Sequence, residues 1–186
     1  MKSKKSKKQG GVLQNAGRKE LVKNLKFLAF WACLFILIYY GTVLAFGWGS
    51  IEGFTAQSSQ KILSAMGQKA SLELAGEFPI LGIAGKEIAI SELCTGWLET
   101  AVLISAVLAS IGIAWRKRIY GAIGALAFGF AFNQLRIVVS TMQLLSTDLQ
   151  TAELTHDIFF RLSLLVVIAG FYYWWFKRSA KNERKQ

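Results

Sequence analysis

The sequence predicts an all-α membrane protein of four transmembrane helices, with both termini cytoplasmic and an extracytoplasmic loop holding a short helix and a β-hairpin. Three observations predict it. More than half of the 186 residues are apolar, with one proline and thirteen phenylalanines, which suits a single membrane-embedded domain better than a soluble globule. Four apolar runs reach the roughly 20 residues that a helix needs to cross about 30 Å of hydrocarbon. The cations flank those runs. Of the 22 lysines and arginines, nine lie in residues 1–26, three at Arg116, Lys117 and Arg118, and five between Lys177 and Lys185, as the positive-inside bias expects of cytoplasmic segments. Residues 47–96 instead hold three lysines against five glutamates, which marks the outer side.

Residues 1–25 are a basic cytoplasmic arm, too polar to fold alone and held near anionic headgroups. The transmembrane domain covers residues 26–176, and residues 177–186 form a basic cytoplasmic tail. The first helix, 27–46, is expected to stay uncleaved, because its apolar run exceeds a signal-peptide core and no A-x-A site follows. In the outer loop, 47–96, the stretch Ile51 to Met66 has weak helical spacing. From Phe78 to Ile90 two short apolar pieces flank Gly85, Lys86 and Glu87 as in a hairpin, which delivers the chain to Cys94 at the outer mouth of the second helix, 97–115. The third helix covers 119–142, where the small residues of GAIGALAFG permit close helix packing. The fourth covers 158–176. Trp48, Trp97, Trp115, Tyr120 and the run Tyr172 to Trp175 fall near the predicted interfaces, where aromatic residues collect.

The net charge of +11 does not mark a nucleic-acid binder, because the basic runs are accounted for by topology and lack interleaved aromatics on a soluble fold. One histidine and two distant thiols cannot supply the usual metal or haem ligands, so no cofactor is expected. Cys33 lies about 10 Å into the first helix from its cytoplasmic end, and Cys94 is at the opposite surface. The remaining gap of about 20 Å far exceeds the roughly 7 Å that a disulfide spans between Cα atoms. Cys33 therefore reads as an inert packed thiol and Cys94 as a lone external one.

On the third helix, Gly129, Asn133, Arg136, Ser140 and Gln143 recur at spacings of four and three and share one face. An arginine inside a span is costly and is a functional hypothesis by default. Snorkelling to the headgroups is feasible for Arg136, but the polar stripe favours an inward-facing surface with Asn133 and Glu99 as partners. At the head of the fourth helix, Thr155 reads as an N-cap, Asp157 complements the helix dipole, and Asp157 and Arg161 form an i,i+4 pair. These roles leave His156 unassigned. Arg161, five residues on and roughly 140° around the helix, ranks below Arg136 as a catalytic cation.

The ordered series SELCTGW, then NQLRI, then a histidine heading the next helix resembles the exosortase/archaeosortase family of membrane transpeptidases, in a short, core-only form. The resemblance covers about residues 85–165. Family motifs usually read Cys-Ser-Gly and Asn-x-x-Arg; here Thr95 replaces the serine and keeps a hydroxyl. Some archaeal members carry arginine at the third position, so Arg161 stands beside His156 for that place. The resemblance implies a cysteine transpeptidase in the cytoplasmic membrane, with its site on the outer face. Its substrates would be secreted proteins with a C-terminal motif, a transmembrane helix and a basic tail, and a lipid or other envelope acceptor would resolve a thioester. Cys94 would be the nucleophile, Arg136 the oxyanion or orienting cation and His156 the proton shuttle, with Asn133, Glu99, Thr95 and Arg161 supporting. The rival class is a noncatalytic assembly factor or small transporter subunit in which Arg136 and Glu99 form a buried ion pair.

Overall fold

The computed structural model describes residues 3–74, 76–146 and 160–183. Helix α1 (Ser3–Phe46) continues through the basic arm, a helical course that the arm, too polar to fold alone, takes as an extension of the apolar segment. It contains no proline, and Lys, Arg, Gln and Leu are all good helix formers that extend the apolar helix behind them. Gly47, at φ 72°, breaks the chain between α1 and α2 (Trp48–Ala65). Glycine is the residue that adopts this backbone without strain. The buried stripe of α2, Glu52, Gly53, Thr55, Ala56, Ser59 and Leu63, has helical spacing and packs against the chain segments that follow it.

Beyond α2 the chain forms a three-stranded antiparallel meander, β1 (Ala70–Glu73), β2 (Ile80–Ile83) and β3 (Lys86–Ala89). The β2–β3 hairpin is the one expected from the sequence, with Ile83 opposite Lys86. Ala84 and Gly85 both have positive φ, 49° and 78°, the handedness that a two-residue hairpin turn needs to match strand twist. Strand β1 was not foreseen. A 3₁₀ turn (Glu92–Cys94) then leads into α3 (Trp97–Ala109), α4 (Trp115–Ser146) and, after residues outside the described part, α5 (Phe160–Glu183).

Among the described residues two helices are long and apolar enough to cross a membrane, Glu20–Phe46 within α1 and Trp115–Ser146; they contain the first and third expected spans. The second expected span is shorter than predicted. With 13 residues, α3 is about 20 Å long, because Ser110 turns extended and Gly112 adopts φ 86°. Arg118 caps this early end, donating from Nε to the Ile113 carbonyl at 2.7 Å and from Nη1 to that of Leu108 at 3.2 Å. Helix α5 is apolar in its first half but is not among the helices that length and composition single out.

Two apolar clusters hold these elements. An outer one joins Ala56 and Leu63 of α2, Leu81 and Ile83 of β2, Ile90, and Ile137 and Val138 of α4, with Cys94 packed against it. An inner one joins Leu103 and Val107 of α3, Ile113, Ala125 of α4 and Trp175 of α5. The small residues of α4 make the second possible. A Cβ at Gly121 would come within 2.3 Å of the Trp175 indole, and one at Gly129 within 2.5 Å of the Thr100 hydroxyl.

Candidate active site

Cys94 ends the 3₁₀ turn, and α4 holds that turn by its backbone. Asn133 Nδ2 donates to the carbonyl oxygens of Cys94 at 2.9 Å and Thr95 at 2.8 Å. Arg136 Nη2 donates to those of Leu93 at 3.1 Å and Cys94 at 3.2 Å. Three consecutive carbonyls thus meet two side chains three residues apart on one helical face. Within the turn, the Cys94 amide donates to the Ser91 carbonyl at 2.8 Å, and the Thr95 hydroxyl to that of Glu92 at 2.6 Å. Thr95 Oγ1 also accepts from the Trp97 amide at 3.2 Å, so the hydroxyl that replaces the expected serine joins the turn to α3.

Gly96 completes the arrangement. Its φ of 65° is left-handed, and a Cβ there would stand 2.7 Å from Asn133 Cγ, so both backbone and space call for glycine. The amide of Asn133 lies against this surface with 1 % of its area exposed.

Cys94, Arg136, Glu99 and Arg161 line one cavity of about 540 Å³, together with Ser91 and an apolar wall that includes Leu98, Val102, Leu165 and Ile168. The Cys94 sulfur is 3.9 Å from Ser91 Oγ and 4.0 Å from the Ala89 carbonyl. Arg136 is 6 % exposed, and its Nε has no hydrogen-bond partner. A permanent cation is therefore held against the Cys94 backbone at the border of this cavity, a disposition suited to stabilising negative charge within it.

The site differs from expectation in two respects. Among the described residues no ion pair links Glu99 to Arg136, although both border the cavity. The counter-charge expected of Glu99, and the buried pair required by the noncatalytic reading, are therefore not formed. Asn133, expected as a partner of Arg136, grips the cysteine turn beside it instead. Arg161, ranked behind Arg136, is brought to the same cavity. His156, with Thr155 and Asp157, lies outside the described residues. Cys33 and Cys94 are both free thiols, on α1 and on the 3₁₀ turn.

Among the buried polar residues that were missed are Gln134, Ser59 and Glu52. Gln134 is 3 % exposed, accepts from Ser59 Oγ at 2.7 Å and donates to the Thr55 carbonyl at 3.5 Å, docking α2 on α4. Ser59 is fully buried beside it. Glu52, 4 % exposed on α2, has its carboxyl pushed above the usual range by burial and then by the negative charge of Glu92. The one available signal was the helical spacing of Glu52, Thr55 and Ser59. Comparison with protein-family models, with curated proteins and with solved structures finds no match to this chain.

Proposed function

We propose that this chain is a cysteine transpeptidase or peptidase of the cytoplasmic membrane, resembling exosortases and archaeosortases, that cleaves a C-terminal sorting signal of secreted proteins at the outer face. One observation carries the reading: a thiol and a buried, incompletely hydrogen-bonded arginine share a cavity, and α4 holds the thiol's turn by three carbonyls. In this reading the bundle crosses the membrane four times. Helix α3 and the Ser110–Ala114 segment together make the second crossing, and α5 belongs to the fourth.

The chemistry follows from the groups. A thiol attacks as its thiolate, and His156 takes the Cys94 thiol proton as the attack begins. Cys94 sulfur adds to the scissile carbonyl, and Arg136 stabilises the oxyanion with the donors its backbone bonds leave over. The C–N bond breaks as His156 gives the departing amine a proton, leaving a thioester on Cys94. An amine or hydroxyl of an envelope acceptor, or water, then attacks the thioester, passes its proton to His156 and releases the Cys94 thiolate, which recovers its proton from His156. Glu99 and Arg161 border the space that the substrate segment fills.

Cells expressing Cys94→Ala or Cys94→Ser in place of the parent should accumulate a tagged substrate that keeps its C-terminal signal, while the variants still reach the membrane fraction. Normal trimming by both variants removes the nucleophile from this account.

A further inference from the structure

Ser91 opens the Cys94 turn at the N-cap position, where a serine hydroxyl usually accepts from a backbone amide of the first turn. Here it does not. The Cys94 amide, one of the two that such a cap would take, donates instead to the Ser91 carbonyl at 2.8 Å. Among the described residues the Ser91 hydroxyl meets only the Cys94 sulfur, at 3.9 Å. The nearby hydroxyls of Thr95, Thr100 and Ser140 are committed elsewhere, each donating to a backbone carbonyl three or four residues back, those of Glu92, Gly96 and Arg136.

The two partners of the sulfur differ in kind. The Ala89 carbonyl, at 4.0 Å, can only accept, so it suits the neutral thiol, which has a proton to give. Ser91 Oγ can donate, so it suits the thiolate, which has none. Both ends of this contact are anchored. Ile90 is 1 % exposed in the outer cluster and donates its amide to the Pro79 carbonyl at 2.9 Å, which fixes Ser91 from the hairpin, while Asn133 and Arg136 fix Cys94 from α4. At 3.9 Å the contact is long, as hydrogen bonds to reacting groups are before substrate arrives. A charged sulfur draws it in, because bonds to an ionised acceptor are the shorter and stronger kind.

We propose that Ser91 is a further catalytic residue, whose hydroxyl donates a hydrogen bond to the Cys94 thiolate and holds that charge in place for attack. Ionisation then exchanges one partner for another: the sulfur lets go of Ala89 and takes the Ser91 hydroxyl. The Ser91 proton stays on its own oxygen, and the Cys94 proton leaves to His156. The proposal rests on Cys94 as the nucleophile. The charged groups that border the same cavity are Arg136 from α4, Glu99 from α3 and Arg161 from α5. Glu92 lies on the turn itself, with Glu52 of α2 near it, and Lys86 of β3 is turned to the Leu144 carbonyl. All of these are left in place by a substitution at Ser91.

The test alkylates the full chain in detergent with iodoacetamide from about pH 5 to 10, around the ordinary cysteine value, and follows the Cys94 peptide by mass spectrometry, which separates it from Cys33. The thiolate sulfur displaces iodide, so the rate follows ionisation. Ser91→Ala should raise the midpoint of the profile by about one pH unit, the effect of one hydrogen bond to a charged group. Ser91→Thr, which keeps the hydroxyl, should restore it. A midpoint unmoved in Ser91→Ala, or moved equally by both substitutions, overturns the proposal. The labelling uses no substrate, so the two readings fail separately. A shifted midpoint alongside normal trimming in both Cys94 variants defeats the peptidase reading alone; an unmoved midpoint alongside trimming lost in those variants defeats the Ser91 assignment alone.

Discussion

Asn133 and Gln134 are consecutive, both nearly fully buried, and project about 100° apart around α4, yet they satisfy different needs. Asn133 supplies donors to the carbonyls of a 3₁₀ turn, backbone groups that no regular helix or sheet would otherwise pair. Gln134 meets Ser59 and Thr55, residues of an α-helix whose own ladder is complete. On one flank a side chain sets backbone geometry at Cys94. On the other it docks a prefabricated element. The difference teaches where precision is required: the docking flank tolerates repacking, and the turn does not.

Substitutions can break this comparison. Asn133→Leu strips the Thr95 carbonyl of its side-chain donor and leaves that of Cys94 with Arg136 alone, and an unmet buried group costs about 1–3 kcal/mol, so about 2 kcal/mol is expected. Thermal unfolding in detergent should fall by about 4–8 °C for a chain of this size, with processing of the tagged substrate lost. Gly96→Ala comes next, since a left-handed alanine costs about 1–2 kcal/mol and its Cβ would press on Asn133; activity should fall more steeply than stability. Gln134→Leu should cost only about 1 kcal/mol. Ser59 can turn its hydroxyl back to its own helix, as Thr55 does to Ile51, and processing should survive. Equal losses of stability and processing in the Asn133 and Gln134 variants would erase the distinction between the two flanks.

The smallest expected effect concerns pH. Because burial raises the Glu52 carboxyl above its ordinary range, its contribution to stability is present at low pH and is lost as pH rises through the raised value. Glu52→Gln should therefore be more stable than the parent at neutral pH and equal to it below about pH 4, the ordinary glutamate range. Parallel melting curves for the two proteins from pH 4 to 8 would show that Glu52 does not titrate with folding.

Much of the site was legible because an apolar helix makes its polar residues conspicuous. Arg136 and Asn133 stood out on an apolar helix three residues apart, and Cys94 stood out through the hairpin that delivers it; the structure joins all three. Gln134 was hidden by the same reasoning, since it neighbours Leu135 on what periodicity alone marks as the apolar face. Only the placement of α2, a tertiary fact, makes that flank an interface. The early end of α3 was invisible to hydropathy because Ile111 and Ile113 continue the apolar run, whereas Gly112 breaks the helix by its backbone. Strand β1 is four residues with two polar side chains and acquires its identity from pairing with β2. The helical course of the basic arm was missed because polarity was weighed above propensity.

The most direct test is to isolate the protein from cells supplied with the tagged substrate and search its cysteine peptides by mass spectrometry for a covalent adduct. A hydroxylamine-labile thioester to a substrate-derived peptide on Cys94, absent from Cys33 and weakened in Asn133→Leu, is the predicted result. An unmodified Cys94 while the substrate is being trimmed in the same cells would contradict the account.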